Sequence, residues 1–185
     1  MNLEQLLKEL GVIREGHFLL SSGLHSGIYF EKFRLLENPQ YLPVFTHEIA
    51  SHFKSYSISR VAAPTLGGML IAYEVARELN TRAIYIEEVH GKRVLRRGFT
   101  IEKGEPILVV DDVMTTGQSL SNVIEVIETN GGMIAGIGVL IDRSDGVNFP
   151  YPFFAVITKR VTNYTPDTCP LCKQGVPLEI PGGIS

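Results

Sequence analysis

Two adjacent carboxylates, Asp111 and Asp112, stand between an apolar run and a turn of small residues in the stretch Pro-Ile-Leu-Val-Val-Asp-Asp-Val-Met-Thr-Thr-Gly-Gln-Ser-Leu-Ser, positions 106 to 121. Ile107 to Val110 reads as a parallel strand buried on both faces, so the acids are expected at its solvent-facing carboxyl end. Thr115, Thr116, Gly117 and Ser119 make the turn, after which Leu120, Val123, Ile124 and Ile127 recur at helical spacing. A helix that opens at such a turn offers unpaired backbone N–H groups to an anion, and ligands of open α/β sheets bind outside the carboxyl ends of the strands. Thr115 to Ser119 therefore suits a phosphate. The acids repel that anion and suit hydroxyls, or a Mg²⁺ ion that shares oxygens with the ligand. Ribose 5-phosphate, with a diol and a phosphate, matches both groups. The other reading is an acid that caps the helix beside a solvated neighbour. Neither a lysine-bearing phosphate loop nor a G-x-G-x-x-G fingerprint occurs at this turn.

The elements that position this stretch follow from periodicity. Leu3, Leu6, Leu7 and Leu10 form the stripe of a short helix that Gly11 ends. Gly16 to Lys32 mixes aromatics and glycines and reads as two short strands joined around Ser22 to Gly27. Asn38-Pro39 predicts a helix start, with Val44, Phe45, Ile49 and Phe53 on its apolar face as far as about His52. Strand Arg60 to Ala63, a glycine turn, helix Met69 to Leu79 and strand Ala83 to Ile86 come next. Glu87 to Phe99 lacks apolar periodicity and carries Lys92, Arg93, Arg96 and Arg97, which reads as a mobile cationic loop. Gly131-Gly132 closes the helix after the acids, and strands Ile134 to Ile141 and Phe153 to Ile157 follow. Alternating strands and helices imply a doubly wound, mostly parallel α/β sheet. The proline- and glycine-rich tail from Tyr164 reads as a strapped-down loop.

Val109 to Leu120 resembles the phosphoribosyl-pyrophosphate (PRPP) motif of the type I phosphoribosyltransferases. The resemblance implies that Asp111 and Asp112 hold the ribose hydroxyls. It also implies that Val113, Met114, Thr115, Thr116, Gly117, Gln118 and Ser119 line the PRPP site, with the turn around the 5-phosphate. Ala63-Pro-Thr-Leu-Gly-Gly68 resembles the pyrophosphate loop of that family, where the backbone at Thr65, Leu66, Gly67 and Gly68 faces the diphosphate. Cationic donors that close over a diphosphate stabilise charge as it develops, which gives Lys92, Arg93, Arg96 and Arg97 a place in PRPP binding. By position, Lys92 matches the family's catalytic lysine. Phe18 to Phe30 and Ile141-Asp-Arg-Ser144 are similar to the orotate-using members. There an amino-terminal hood covers the base, Tyr29 and Phe30 border it together with Thr115, and Arg143 meets its carboxylate. Many members carry lysines where this chain has Ser21 and Gly67.

The expected protein is thus a single phosphoribosyltransferase domain over positions 1 to 185, with a small hood from about 10 to 35 and a tail from about 164. The resemblance implies a Mg²⁺-dependent pentosyltransferase that uses PRPP and orotate in pyrimidine synthesis; the alternatives are a phosphoribosyltransferase for another base and a PRPP-sensing regulator. It further implies a homodimer whose cationic loop reaches the partner's site. A chain with 44% hydrophobic residues and a net charge of −3 can bury a core and gives no electrostatic case for nucleic acid. No apolar stretch approaches membrane-spanning length and the amino terminus lacks a signal-peptide pattern, so a cytoplasmic protein is expected. His17 and His25 read as surface histidines. Cys169 and Cys172, in Cys-Pro-Leu-Cys, are expected to be structural or incidental. Two cysteines supply half of a tetrahedral zinc set, so a metal needs histidine or carboxylate partners or a second chain.

Overall fold

The leucine stripe at the amino terminus forms α1 (Leu3–Glu9), capped by the Asn2 side chain, which accepts from Gln5 N–H at 3.1 Å. The computed structural model describes residues 2–181. Two antiparallel strands follow, β1 (Ile13–Leu19) and β2 (His25–Phe30). A single turn, α2 (Phe33–Leu36), precedes α3 (Leu42–Phe53). The helix expected from Asn38-Pro39 therefore starts later, with Pro43 in its first turn. Asn38 instead donates its side-chain amide to Arg34 O at 2.8 Å, which closes the turn before it.

The alternating part comprises β3 (Arg60–Pro64), α4 (Gly67–Glu78), β4 (Arg82–Val89), β5 (Lys92–Val94), β6 (Pro106–Met114), α5 (Gln118–Thr129), β7 (Met133–Asp142) and β8 (Phe153–Thr158). These strands form one sheet in the order β5-β4-β3-β6-β7-β8, parallel except for β5. Helices α3 and α4 cover one face and α5 the other. The unbroken apolar run of β6 follows from this sandwich. Leu108 and Val110 enter the core under α3 and α4, whereas Ile107 and Val109 enter the core under α5.

Three sequence expectations change here. The strand expected to stop at Ile86 continues to Val89 and turns through His90 and Gly91 into β5, so the cationic segment contains a hairpin in place of a loop. His90 and Gly91 both have positive φ, 50° and 76°, as a tight two-residue hairpin turn requires. The tail also holds two short elements, β9 (Asn163–Tyr164) and α6 (Pro170–Lys173). β9 joins β1 and β2 in a small sheet of order β1-β2-β9, and Glu179 N–H donates to His17 O at 2.8 Å. The tail is thereby part of the hood. Finally, His17 and His25 are not on the surface, being 3% and 5% exposed. No helix among the described residues is long and apolar enough to cross a membrane.

Candidate active site

Strand order reverses between β3 and β6: the chain leaves β3 toward β4 on one side and leaves β6 toward β7 on the other. At such a switch point the two following turns diverge and open a crevice at the carboxyl ends of the strands. The two turns here are Thr65 to Gly68 and Thr115 to Gly117, both singled out by sequence.

The acids lie deeper than expected. β6 continues to Met114 because Val113 and Met114 keep their pairing with Ile141 and Asp142 of β7, so Asp111 and Asp112 sit inside the strand and are buried. Asp111 Oδ1 accepts from Asp112 N–H at 2.8 Å, and Asp112 Oδ1 accepts from Val113 N–H at 2.6 Å. Lys32, just beyond the hood strand β2, places Nζ 2.7 Å from Asp112 Oδ2. Burial, with the Asp112 charge second, pushes the Asp111 carboxyl up to about 7. The pair is thus one carboxylate held by a lysine beside one carboxyl that titrates near neutrality.

Gly67 and Gly68 open α4 directly against the acids. A Cβ at Gly67 would lie 1.9 Å from Asp112 Oδ2, and one at Gly68 would lie 3.3 Å from Asp111 Oδ1. A lysine at position 67 therefore does not fit beside Asp112 as it stands. Lys32 supplies a cation to that acid from the hood instead. On the other turn Gly117 has φ +75°, and a Cβ there would meet Val147 Cγ1 at 2.8 Å, so backbone conformation and space both require glycine. Gly117 offers no side-chain cap to α5, which begins at Gln118, directly after the turn that follows β6. Thr116 Oγ1 accepts from Gln118 N–H at 3.4 Å, and the N–H groups that follow in the first helical turn are presented at the crevice.

The hood brings its aromatics to the same end of the sheet. The Arg143 guanidinium, just after β7, lies 5.3 Å from the centre of the Phe30 ring, and its Nη2 donates to Asn163 Oδ1 at 3.3 Å. Arg143 N–H donates to Met114 O at 3.0 Å, which ties it to the residue before Thr115. Burial lowers the Arg143 pKa and raises that of Tyr29, whose ring packs against Phe18.

Most of the cations of the hairpin segment are already partnered. Arg93 donates to Thr65 Oγ1 at 3.2 Å and pairs with Glu88 at 3.5 Å. Arg97 and Arg96 both pair with Glu87, at 2.6 and 3.7 Å. Lys92 makes no ion pair among the described residues. A cleft of about 630 Å³ lies between this hairpin and α5 and contains neither acid.

A family profile for the phosphoribosyl transferase domain matches residues 34–165, which span both turns and the acid pair. The chain belongs to the phosphoribosyltransferase family. It is similar to an orotate phosphoribosyltransferase of Caldanaerobacter subterraneus subsp. tengcongensis, 45% identical over 179 residues that cover 96% of this chain and 94% of the relative. The orotate phosphoribosyltransferase of Thermotoga maritima is 42% identical over 181 residues, 97% of each chain. Among solved structures, an orotate phosphoribosyltransferase from Aeropyrum pernix superposes with a TM-score of 0.72 at 29% identity, covering 84% of this chain and 93% of that one.

Within this phosphoribosyltransferase, Lys32 is the site residue that sequence reasoning missed. It lies in a segment that reads only as strand, 80 positions before its partner, and nothing local marks it. The acid pair also decides how a Mg²⁺ ion fits. The donor set is two adjacent carboxyl groups, of which Asp112 is already paired with Lys32, so a cation here needs further oxygens from a bound ligand.

Proposed function

We propose that this phosphoribosyltransferase transfers the 5-phosphoribosyl group of PRPP to orotate, giving orotidine 5-phosphate and diphosphate in pyrimidine synthesis. The observation that carries the reading is the convergence, at one switch point, of a phosphate turn, an acid pair, and a hood whose Phe30 lies against Arg143. The relatives that match over nearly their whole length carry the same activity in their names.

In this reading Asp111 and Asp112 hold the ribose hydroxyls, and Val113 to Ser119 receive the 5-phosphate on the N-terminal turn of α5. Thr65, Leu66, Gly67 and Gly68 face the diphosphate, helped by Arg93, which already touches Thr65. Tyr29, Phe30 and Thr115 border the base, while the forked guanidinium of Arg143 suits the carboxylate that distinguishes orotate from uracil. The ring nitrogen of orotate attacks C1′ of the ribose, the bond from C1′ to the diphosphate oxygen breaks, and the nitrogen's proton is lost. No protein nucleophile is needed. The chain's work is to position two substrates and to stabilise a ribosyl cation and a departing anion. Mg²⁺, when bound with PRPP, neutralises part of the diphosphate charge.

A homodimer belongs to the same reading. Leu70 and Tyr73 of α4 and Leu66 just before it lie on one exposed face, and Phe33, Leu66 and Leu70 line an apolar groove there. A second copy covering that face lets Lys92, Arg96 and Arg97 act on a neighbouring site. The decisive experiment for the activity measures PRPP consumption with orotate, uracil, adenine and hypoxanthine. Turnover with orotate alone is expected. Turnover confined to a purine would overturn the reading in favour of the adenine enzymes that share the fold.

A further inference from the structure

The four residues with no part in phosphoribosyl transfer, His17, His25, Cys169 and Cys172, meet in one place. Their ligand-forming atoms all lie within 4.8 Å of one another. His17 Nε2 is 2.9 Å from His25 Nδ1, 3.5 Å from Cys169 Sγ and 3.7 Å from Cys172 Sγ, and Cys172 Sγ is 3.3 Å from His25 Nδ1. We propose that these side chains form a structural zinc site of two thiolates and two imidazoles that fastens the carboxyl-terminal tail to the hood.

Three of the separations are those of a tetrahedral ligand set. Zinc bonds of about 2.3 Å to sulfur and about 2.0–2.1 Å to nitrogen place ligand atoms about 3.6 Å apart for nitrogen and sulfur and about 3.3 Å apart for two nitrogens. The three nitrogen–sulfur separations, 3.3, 3.5 and 3.7 Å, bracket the first value. The two nitrogens need to part by only a few tenths of an ångström. His17 Nδ1 lies 2.8 Å from Val176 O, and donation to that carbonyl places the ring proton on Nδ1 and leaves the Nε2 lone pair facing the cluster. A backbone acceptor behind a metal-binding imidazole is the usual way its tautomer is fixed.

Charge and location agree with the assignment. Two thiolates and two neutral imidazoles cancel the charge of a divalent ion, so the loaded site is neutral where three of its four residues are buried. Both thiol protons pass to solvent on binding. Four protein ligands leave no open position, which makes the site structural rather than catalytic. His17 comes from β1, His25 from β2 and both cysteines from α6 and the residue before it. A metal there adds a link between hood and tail to the two-residue pairing of β2 with β9, the contact of His17 with Val176 and the contacts of Glu179. Cys172 is the exposed member and leaves the ion a route of entry.

The test uses the full chain, expressed in zinc-supplemented cells, freed of any histidine tag and kept reduced. Elemental analysis should give about one zinc per chain. A chelator should lower the melting temperature and speed hydrogen exchange in residues 13–30. Cobalt added to the metal-free protein should produce thiolate charge-transfer bands and intense visible bands of tetrahedral cobalt. Cys172→Ser, chosen because the position is exposed, should lose those bands and weaken zinc binding at least 100-fold. Loss of the fold on chelation counts for the proposal. It is overturned if the reduced protein is isolated without zinc and takes up neither zinc nor cobalt. It is equally overturned if a metal binds with the same spectrum and affinity in Cys172→Ser.

Discussion

Lys32 Nζ lies 2.7 Å from Asp112 Oδ2, so a residue of the hood neutralises an acid at the centre of the sheet. Asp112 has a side chain only 5% exposed, whereas that of Lys32 is 38% exposed, which makes the acid the partner with more to lose. Lys32→Met leaves a buried carboxylate without its cation. Solvent screening around the lysine reduces the cost below that of a fully buried pair, to about 1–2 kcal/mol. Asp112→Asn in the same chain should recover part of that loss. Urea unfolding of the two single variants and the double variant measures the coupling, and strictly additive changes would remove Lys32 from the site.

Gly67→Ala places a Cβ 1.9 Å from Asp112 Oδ2 and so displaces the acid. Overpacking of this kind costs about 1–3 kcal/mol, and the displaced acid should also raise the KM for PRPP several-fold. Thermal melts together with initial rates check both effects. A variant with wild-type stability and KM would show that Asp112 has room to move.

The Asp111 carboxyl, pushed up to about 7 from an ordinary value of 3.8, makes stability depend on pH in a predictable sense. Between about pH 4 and pH 7 the folded chain keeps a proton that the unfolded chain gives up. Stability therefore falls as pH rises through this window, by at most about 1.4 kcal/mol per pH unit from this group. Asp111→Asn removes the charge that must be buried above pH 7. Relative to wild type it should gain stability progressively from pH 5 to pH 8 while losing turnover. Denaturation midpoints at each pH decide the matter, and an unchanged difference between the two proteins across the range contradicts the assignment.

Arg143→Ala should raise the KM for orotate by at least tenfold and change that for PRPP little, because the lost fork serves the base carboxylate. Arg143→Lys should recover little, since an ammonium lacks the paired donors. Equal losses for both substrates point to a role for Arg143 in holding Phe30 and Asn163 in place, rather than in meeting the base.

The sequence by itself determined the sheet, the acid pair and both turns. Each depends on neighbours within about a dozen positions: apolar runs for strands buried on two faces, small residues and glycine for the turns, helical spacing for α4 and α5. The continuous run Ile107 to Val110 already requires a layer on each side, and α3, α4 and α5 supply those layers. The resemblance of the segment Val109 to Leu120 then led to the family. Where local signals misled, a longer contact decided. β6 does not stop at its acids because β7 continues its ladder, and Glu87 to Phe99 is not an open loop because its arginines meet Glu87, Glu88 and Thr65. Only the tertiary structure could join Lys32 to Asp112, or bring His17 and His25 to a Cys-Pro-Leu-Cys more than a hundred positions away. Such pairs leave no periodicity in the chain. They arise when the hood closes over one end of the sheet and the tail returns to it, and the separation of charged or metal-binding partners is then set by packing rather than by spacing.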